Sequence, residues 1–145
     1  MPENAAITAI AHVIELAVAP VFMLTGIGAM LGVMTNRLAR IIDRSRVLEV
    51  QLPIDDTAGQ LIEAELLALA RRGKYVNRSI TLCTVTALLI SAVIAILFLG
   101  AFVTFDASIP VAVLFVTAML TLIVALIYFL KEILLATSSI RIGRR

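Results

Sequence analysis

Three long apolar stretches, separated by polar segments, organise the sequence. They cover approximately residues 16–34, 80–103 and 110–130. A helix rises about 1.5 Å per residue, so about 20 apolar residues cross the hydrocarbon core of a bilayer. Helix is required there, because a lone apolar strand would leave its backbone polar groups unpaired in lipid. The pattern predicts an all-α integral membrane protein, one domain of residues 1–145, with three transmembrane helices.

The polar segment between the first two stretches, residues 35–79, also has helical character. Apolar residues form one side before and after a break at 52–56, where Pro53 disfavours helix at the preceding residue. The two arms predict an antiparallel helical hairpin that extends both spans. Acids and bases alternate on it, and the candidate ion pairs, within or between subunits, involve Asp43, Glu63, Glu65, Arg71 and Arg72. The alternative is that these charges only solvate a helical stalk.

The positions of Lys and Arg predict the orientation. Eight of the twelve lie in 37–78 and four follow the third stretch, whereas none precedes residue 37 or lies in 104–109. Under the positive-inside rule, the hairpin and the tail 131–145 are cytoplasmic and residues 1–15 are periplasmic. We therefore expect a multi-pass protein of the inner (plasma) membrane, with its N-terminus outside and its C-terminus inside.

The composition argues against other classes of protein. Apolar residues make up 61% of the 145 and charged residues 15%, less than in an average soluble domain. The basic residues flank the apolar spans, which fits membrane orientation and anionic lipid headgroups better than nucleic acid. Cys83 is the only cysteine, His12 is the only histidine, and no catalytic or phosphate-binding motif occurs. We expect no enzyme activity, no metal and no cofactor.

One side of the first span carries unusual residues. Within a sector of about 100° it is polar at the outer end, small through the membrane and cationic inside. The candidate pore or mouth residues on it are His12, Glu15, Gly26, Arg37, Arg40 and Arg44. They could line a pore in an oligomer. The alternative is that His12 and Glu15 lie at the interface while the arginines bind anionic lipid.

Small residues mark candidate helix-packing faces. Gly28 and Gly32 form a GxxxG match in the first span, and Ser91 and Ala95 share a face in the second. Such faces allow two helix backbones to approach closely. Packing within one chain and self-association both remain open.

Two short segments resemble a known family. One is the run Thr35-Asn36-Arg37-Leu38-Ala39-Arg40-Ile41-Ile42-Asp43-Arg44-Ser45-Arg46, and the other is Arg71-Arg72 followed by Asn77-Arg78-Ser79. Together with the glycine-containing span that begins at Ala19, they resemble the bacterial membrane family catalogued as domain of unknown function 2721, over roughly residues 10 to 135. The resemblance implies a fold and a membrane location, but no activity.

These features predict a non-enzymatic protein that self-associates and acts as a membrane-anchored interaction or scaffold protein. The alternative is a homo-oligomeric ion channel or conduit lined by the first transmembrane helix. A membrane-embedded enzyme is a third reading, which the absence of catalytic motifs disfavours. The partners expected from the sequence are the bilayer, anionic headgroups and further copies of the chain.

Overall fold

The chain folds into three long helices. The structure is a computed structural model that describes residues 2–50, 56–102 and 107–142, with side-chain environments for 7–50, 59–100, 102 and 107–137. In those ranges the elements are α1 (Pro2–Val50), α2 (Asp56–Phe102) and α3 (Ser108–Ile142). The predicted spans 16–34 and 110–130 lie inside α1 and α3. The predicted span 80–103 lies inside α2 except for residue 103, which is outside the described residues.

All three helices are long and apolar enough to cross a membrane. This confirms the predicted all-α fold with three candidate membrane helices. At about 1.5 Å per residue, the 49 residues of α1 extend about 73 Å and the 47 of α2 about 70 Å. Both lengths are more than twice the roughly 30 Å of a hydrocarbon core. Both α1 and α2 therefore have a membrane-length part and a polar extension.

Two residues expected to weaken these helices lie inside them. Pro20 is buried within α1, and α2 continues through Gly73. Proline is tolerated in membrane helices because neighbouring groups satisfy the carbonyl that it leaves free. A Cβ added at Gly73 would meet Ile41 Cγ2 at 3.7 Å, an ordinary contact distance. Because one helix runs from Asp56 to Phe102, α2 is continuous from the polar extension into the apolar span.

The chain divides into two compact units. The first comprises Met1–Met30 with Leu82–Ile123, and the second comprises Leu31–Thr81 with Val124–Arg145. The first unit buries mainly small and branched apolar side chains, namely Ala17, Ile27, Cys83, Ile90, Val93 and Ala118. Its buried Thr86 hydroxyl donates to the Leu82 carbonyl of its own helix at 2.9 Å. This unit places no charged side chain among its described buried residues.

The second unit buries polar groups as well as apolar ones. Ser79 is fully buried, and its Oγ donates to the Ala125 carbonyl oxygen at 2.7 Å, which links α2 to α3. The Ser79 Oγ also lies 3.4 Å from Met34 Sδ of α1. Val76, one turn before Ser79, is also fully buried. All three helices therefore meet at Ser79.

Candidate functional site

A buried carboxylate lies at the centre of the second unit. Glu132 on α3 has no exposed side-chain surface. Its Oε1 accepts hydrogen bonds from Arg72 Nη2 at 3.0 Å and Nε at 3.2 Å. Its Oε2 lies 2.9 Å from Arg37 Nη2. One acid thus joins arginines from α1 and α2.

The two contacts differ in kind. Arg72 presents two donors to a single oxygen, and both hydrogen bonds are charge-assisted because guanidinium and carboxylate are ionised. The Arg37 N–H groups are not aligned on Oε2, which has no hydrogen-bond donor among the described residues, so this contact is an ion pair. The arginine side chains keep 35% and 24% of their surface exposed, for Arg37 and Arg72 respectively. A buried charge needs such partners, because an unpaired one would be far less stable than in water.

The sequence explains why these three side chains can meet. Arg37 follows the predicted end of the first span by three residues, and Glu132 follows the end of the third by two. Arg72 precedes the second span by eight residues, about two helical turns. Charged side chains at the ends of apolar spans are excluded from the hydrocarbon but can pair with one another. The ion pairs therefore form where the helices become polar.

Cationic side chains of the second unit also lie against aromatic rings. The guanidinium of Arg37 lies 5.6 Å from the centre of the Phe129 ring. Tyr128 has Arg78 at 5.8 Å and Lys131 at 6.0 Å, and its ring centre is 6.2 Å from that of Tyr75. The three distances from a cation to a ring centre are typical of cation–π contacts, which are stronger where water is partly excluded. Tyr128 and Lys131, at the end of the third apolar stretch, are thus close to each other.

A second ion pair lies farther along the polar extensions. Arg44 Nη2 and Nε donate to Glu65 Oε1 at 2.9 and 3.0 Å. Both side chains are about half exposed, at 52% and 44%. The adjacent part of the extensions encloses an apolar groove of about 530 Å³, lined by residues such as Ile41, Leu66 and Leu69.

The structure distributes the predicted pore residues as follows. His12, Glu15 and Gly26 are exposed in the first unit, and Arg40 is exposed in the second. His12 borders a cavity of about 680 Å³, which Glu15 does not line. Arg37 and Arg44 are instead engaged by Glu132 and Glu65.

The predicted packing residues are uncovered. A Cβ added at Gly26, Gly28 or Gly32 would meet no described atom within 4 Å outside its own helix backbone. Ser91 and Ala95 are exposed, and the Ser91 hydroxyl donates to the Ala87 carbonyl of its own helix at 2.8 Å. Within the described chain, the glycines of α1 therefore make no close helix contact.

The predicted hairpin charges fall into two groups. Glu65 and Arg72 are paired, with Arg44 and Glu132. The other three predicted residues, Asp43, Glu63 and Arg71, have no ion-pair or hydrogen-bond partner in the part of the chain that the structure describes. The same is true of three neighbouring charges, Arg46, Glu49 and Lys74. No group of three His, Cys, Asp or Glu in the described ranges could hold a metal ion.

The family described as protein of unknown function (DUF2721) matches residues 17–142. The chain belongs to this family. No curated protein and no solved structure matches it. The DUF2721 match covers Arg37, Arg72 and Glu132, whereas His12 and Glu15 lie before it. The buried cluster is therefore inside the family region and the outer end of the predicted stripe is not.

Two central residues of this DUF2721 chain were missed by the sequence reasoning, namely Glu132 and Ser79. Glu132 carried a signal, because it is the only acid after Asp106 and apolar residues follow it directly. An ionisable residue next to a membrane span is a functional candidate by default. Ser79 carried no comparable signal, since hydroxyls in membrane helices mostly bond to their own helix.

Proposed function

We propose that this protein is a self-associating, non-enzymatic membrane scaffold whose polar extensions form a cytoplasmic interaction element. The observation that carries the proposal is the apolar groove between the extensions, whose only charged lining residues are the unpaired acids Glu49 and Glu63 among the described residues. Outside the predicted spans, Val47, Leu61 and Leu67 are 48%, 76% and 63% exposed. Apolar surface of this extent away from lipid is typical of an interaction site.

The extensions are proposed to form an antiparallel hairpin. Its support is the order of the contacts between α1 and α2. Met34 approaches Ser79, Ile41 approaches Gly73, and Arg44 pairs with Glu65. Partner numbers rise as α1 numbers fall, which is the relation expected for antiparallel neighbours joined by a short connection.

The cytoplasmic location of the hairpin rests on the distribution of Lys and Arg. All twelve lie in 37–78 or after residue 130. We propose a plasma-membrane protein with its N-terminus outside and its C-terminus inside. Green fluorescent protein fused to the C-terminus should fluoresce, since it does so only in the cytoplasm. Alkaline phosphatase activity from the same fusion site would reverse the orientation.

The proposed occupant of the groove is a second copy of the chain. Apart from Arg40, the unpaired charges named above are three acids and three bases, so the surface offers opposite charges that could pair with a second copy about a two-fold axis. Gly28 and Gly32 leave open space beside α1, where a second α1 could approach closely. Within one described chain, these charges are unpaired and the space beside the glycines is empty. Association of two copies would pair the charges and fill the space.

Native mass spectrometry in mild detergent and in lipid nanodiscs tests this proposal. The wild-type protein should be an oligomer in both. Replacing Gly28 and Gly32 together by Leu should shift it toward monomer, and so should charge reversal at Asp43 and Glu63. Gly26→Leu is the matched control, because it also enters open space but lies on another side of α1. A wild-type monomer in both media would refute self-association.

A conduit formed by several copies is the second proposal. It is favoured by the exposure of His12, Glu15, Gly26 and Arg40, which a ring of α1 helices could bring together. The pairing of Arg37 and Arg44 with acids reduces the positive charge available to such a pore. A ring of at least four subunits, with ion flux whose selectivity changes in Glu15→Gln, is the expected result. Unchanged selectivity in both Glu15→Gln and Arg37→Ala would exclude the stripe as the lining.

A further inference from the structure

A second cavity in the second unit is lined by cationic side chains. Its volume is about 520 Å³, and it lies beside α1 and α2. Four arginines and one amide border it, and no acid does; the polar lining is Asn36, Arg37, Arg40, Arg44 and Arg72. On α1, Arg40 lies one turn from both Arg37 and Arg44, so the three share a helix face.

The local charges do not cancel. Glu132 is shared by Arg37 and Arg72, and Glu65 is paired with Arg44. Arg40 and Asn36 have no polar partner among the described residues. Four guanidinium groups thus face two carboxylates, which leaves two positive charges in excess. A phosphomonoester carries about −1.5 to −2 at pH 7 and would balance them.

Three of the four arginines are already held in position, Arg37 and Arg72 by Glu132 and Arg44 by Glu65. Arg72 donates from Nε and Nη2 to Glu132 Oε1, and its Nη1 donates to no acceptor within the described residues. A side chain that is fixed before binding loses little conformational entropy when a ligand arrives. The guanidinium fork also matches phosphate oxygens in shape and charge. Glu132 therefore orients two of the four arginines that border the cavity, Arg37 and Arg72.

Positive-inside orientation alone does not account for this arrangement. That rule explains an excess of Lys and Arg near the membrane, but it does not require a fully buried acid that clamps two of them. On α1 the cavity lining starts at the predicted end of the first span, next to where lipid headgroups are expected, and continues away from it to Arg44. We infer that it binds a phosphomonoester group, carried either by a lipid headgroup or by a soluble molecule.

The test titrates the purified full-length protein in detergent with phosphatidic acid, phosphatidylglycerol and phosphatidylcholine, and counts bound lipid by native mass spectrometry. One phosphatidic acid per chain should be retained, at least tenfold more tightly than phosphatidylglycerol, whose phosphodiester carries one charge. Arg40→Gln should weaken this binding about tenfold or more, the loss of one charged hydrogen bond. Arg46→Gln removes the same charge from the same helix away from the cavity and should change it less than twofold.

Inorganic phosphate distinguishes the two sources. If calorimetry in lipid-free detergent detects phosphate binding that Arg40→Gln weakens, the site accepts a soluble phosphate. If only phosphatidic acid binds, the site is a headgroup site. Equal binding of the two anionic lipids, equal loss in Arg40→Gln and Arg46→Gln, or no binding of any probe would overturn the inference. The same spectra count subunits, so failure of self-association is visible separately.

Discussion

The two compact units connect their helices by different means, although the same three helices supply both. In the first unit, hydroxyls such as those of Thr86, Ser91 and Thr117 donate to carbonyls of their own helix. In the second unit, hydroxyls such as that of Thr35 do the same, but Ser79 of α2 donates to α3, and Glu132 of α3 pairs with arginines of α1 and α2. All twelve Lys and Arg belong to the second unit, with seven of the ten acids.

This difference follows from the solvent that each part of the helices requires. Lipid offers no partner to a hydroxyl, so its hydrogen bond is made most readily to the i−4 carbonyl. Apolar side chains gain little by leaving lipid for one another, so close contact between helices depends on shape. At the ends of the spans, charges can pair between helices and fix their relative rotation. The second unit should therefore depend on a few specific side chains, and the first should not.

The largest expected effect is that of Glu132→Gln. The amide keeps the shape of the side chain but leaves Arg37 and Arg72 without their shared negative charge. Breaking a buried ion pair costs about 3–5 kcal/mol, and the partial exposure of both arginines favours the lower end. Unfolding of the purified protein in mixed micelles with increasing SDS measures the free energy of unfolding.

Glu63→Gln is the control for this change. Glu63 is exposed and unpaired among the described residues, so its replacement should alter the free energy of unfolding by less than about 0.5 kcal/mol. Equal stability of the two variants would mean that Glu132 does not hold the second unit together.

A smaller effect separates the two uses of a serine on α2. Ser79→Ala removes a hydrogen bond between helices, whereas Ser91→Ala removes one within a helix. Bonds between membrane helices are worth about 0.6 kcal/mol on average and up to about 1.7. We expect Ser79→Ala to be near the upper value, because Ser79 is fully buried, and Ser91→Ala to be near zero. The same SDS unfolding measures both, and equal losses would contradict the contrast between the units.

The helices could be predicted from the sequence, and most of the side-chain partners could not. An apolar window of about 20 residues predicts a membrane span, because a helix of that length matches the thickness of the hydrocarbon core. It does not fix how the helix is rotated, so it could not pair Arg72 with Glu132, 60 positions away. The pairing of Arg44 with Glu65 and the openness of Gly28 depend on rotation for the same reason. The distribution of Lys and Arg identified the arginines as candidates, but it did not identify Glu132, the acid that holds Arg37 and Arg72.

The smallest expected effect concerns the outer ion pair of the second unit. Arg44 and Glu65 are both about half exposed, so water and salt compete with their attraction. A double-mutant cycle with Arg44→Gln and Glu65→Gln should give a coupling free energy of about 0.5 kcal/mol, and a matched cycle with Arg46→Gln in place of Arg44→Gln should give none. Raising the salt concentration from about 0.15 to 1 M shortens the screening length from about 8 to 3 Å and should weaken the coupling. A coupling well above 1 kcal/mol that salt does not change would mean that this pair is shielded from water, as it would be if a second copy of the chain covered the extensions.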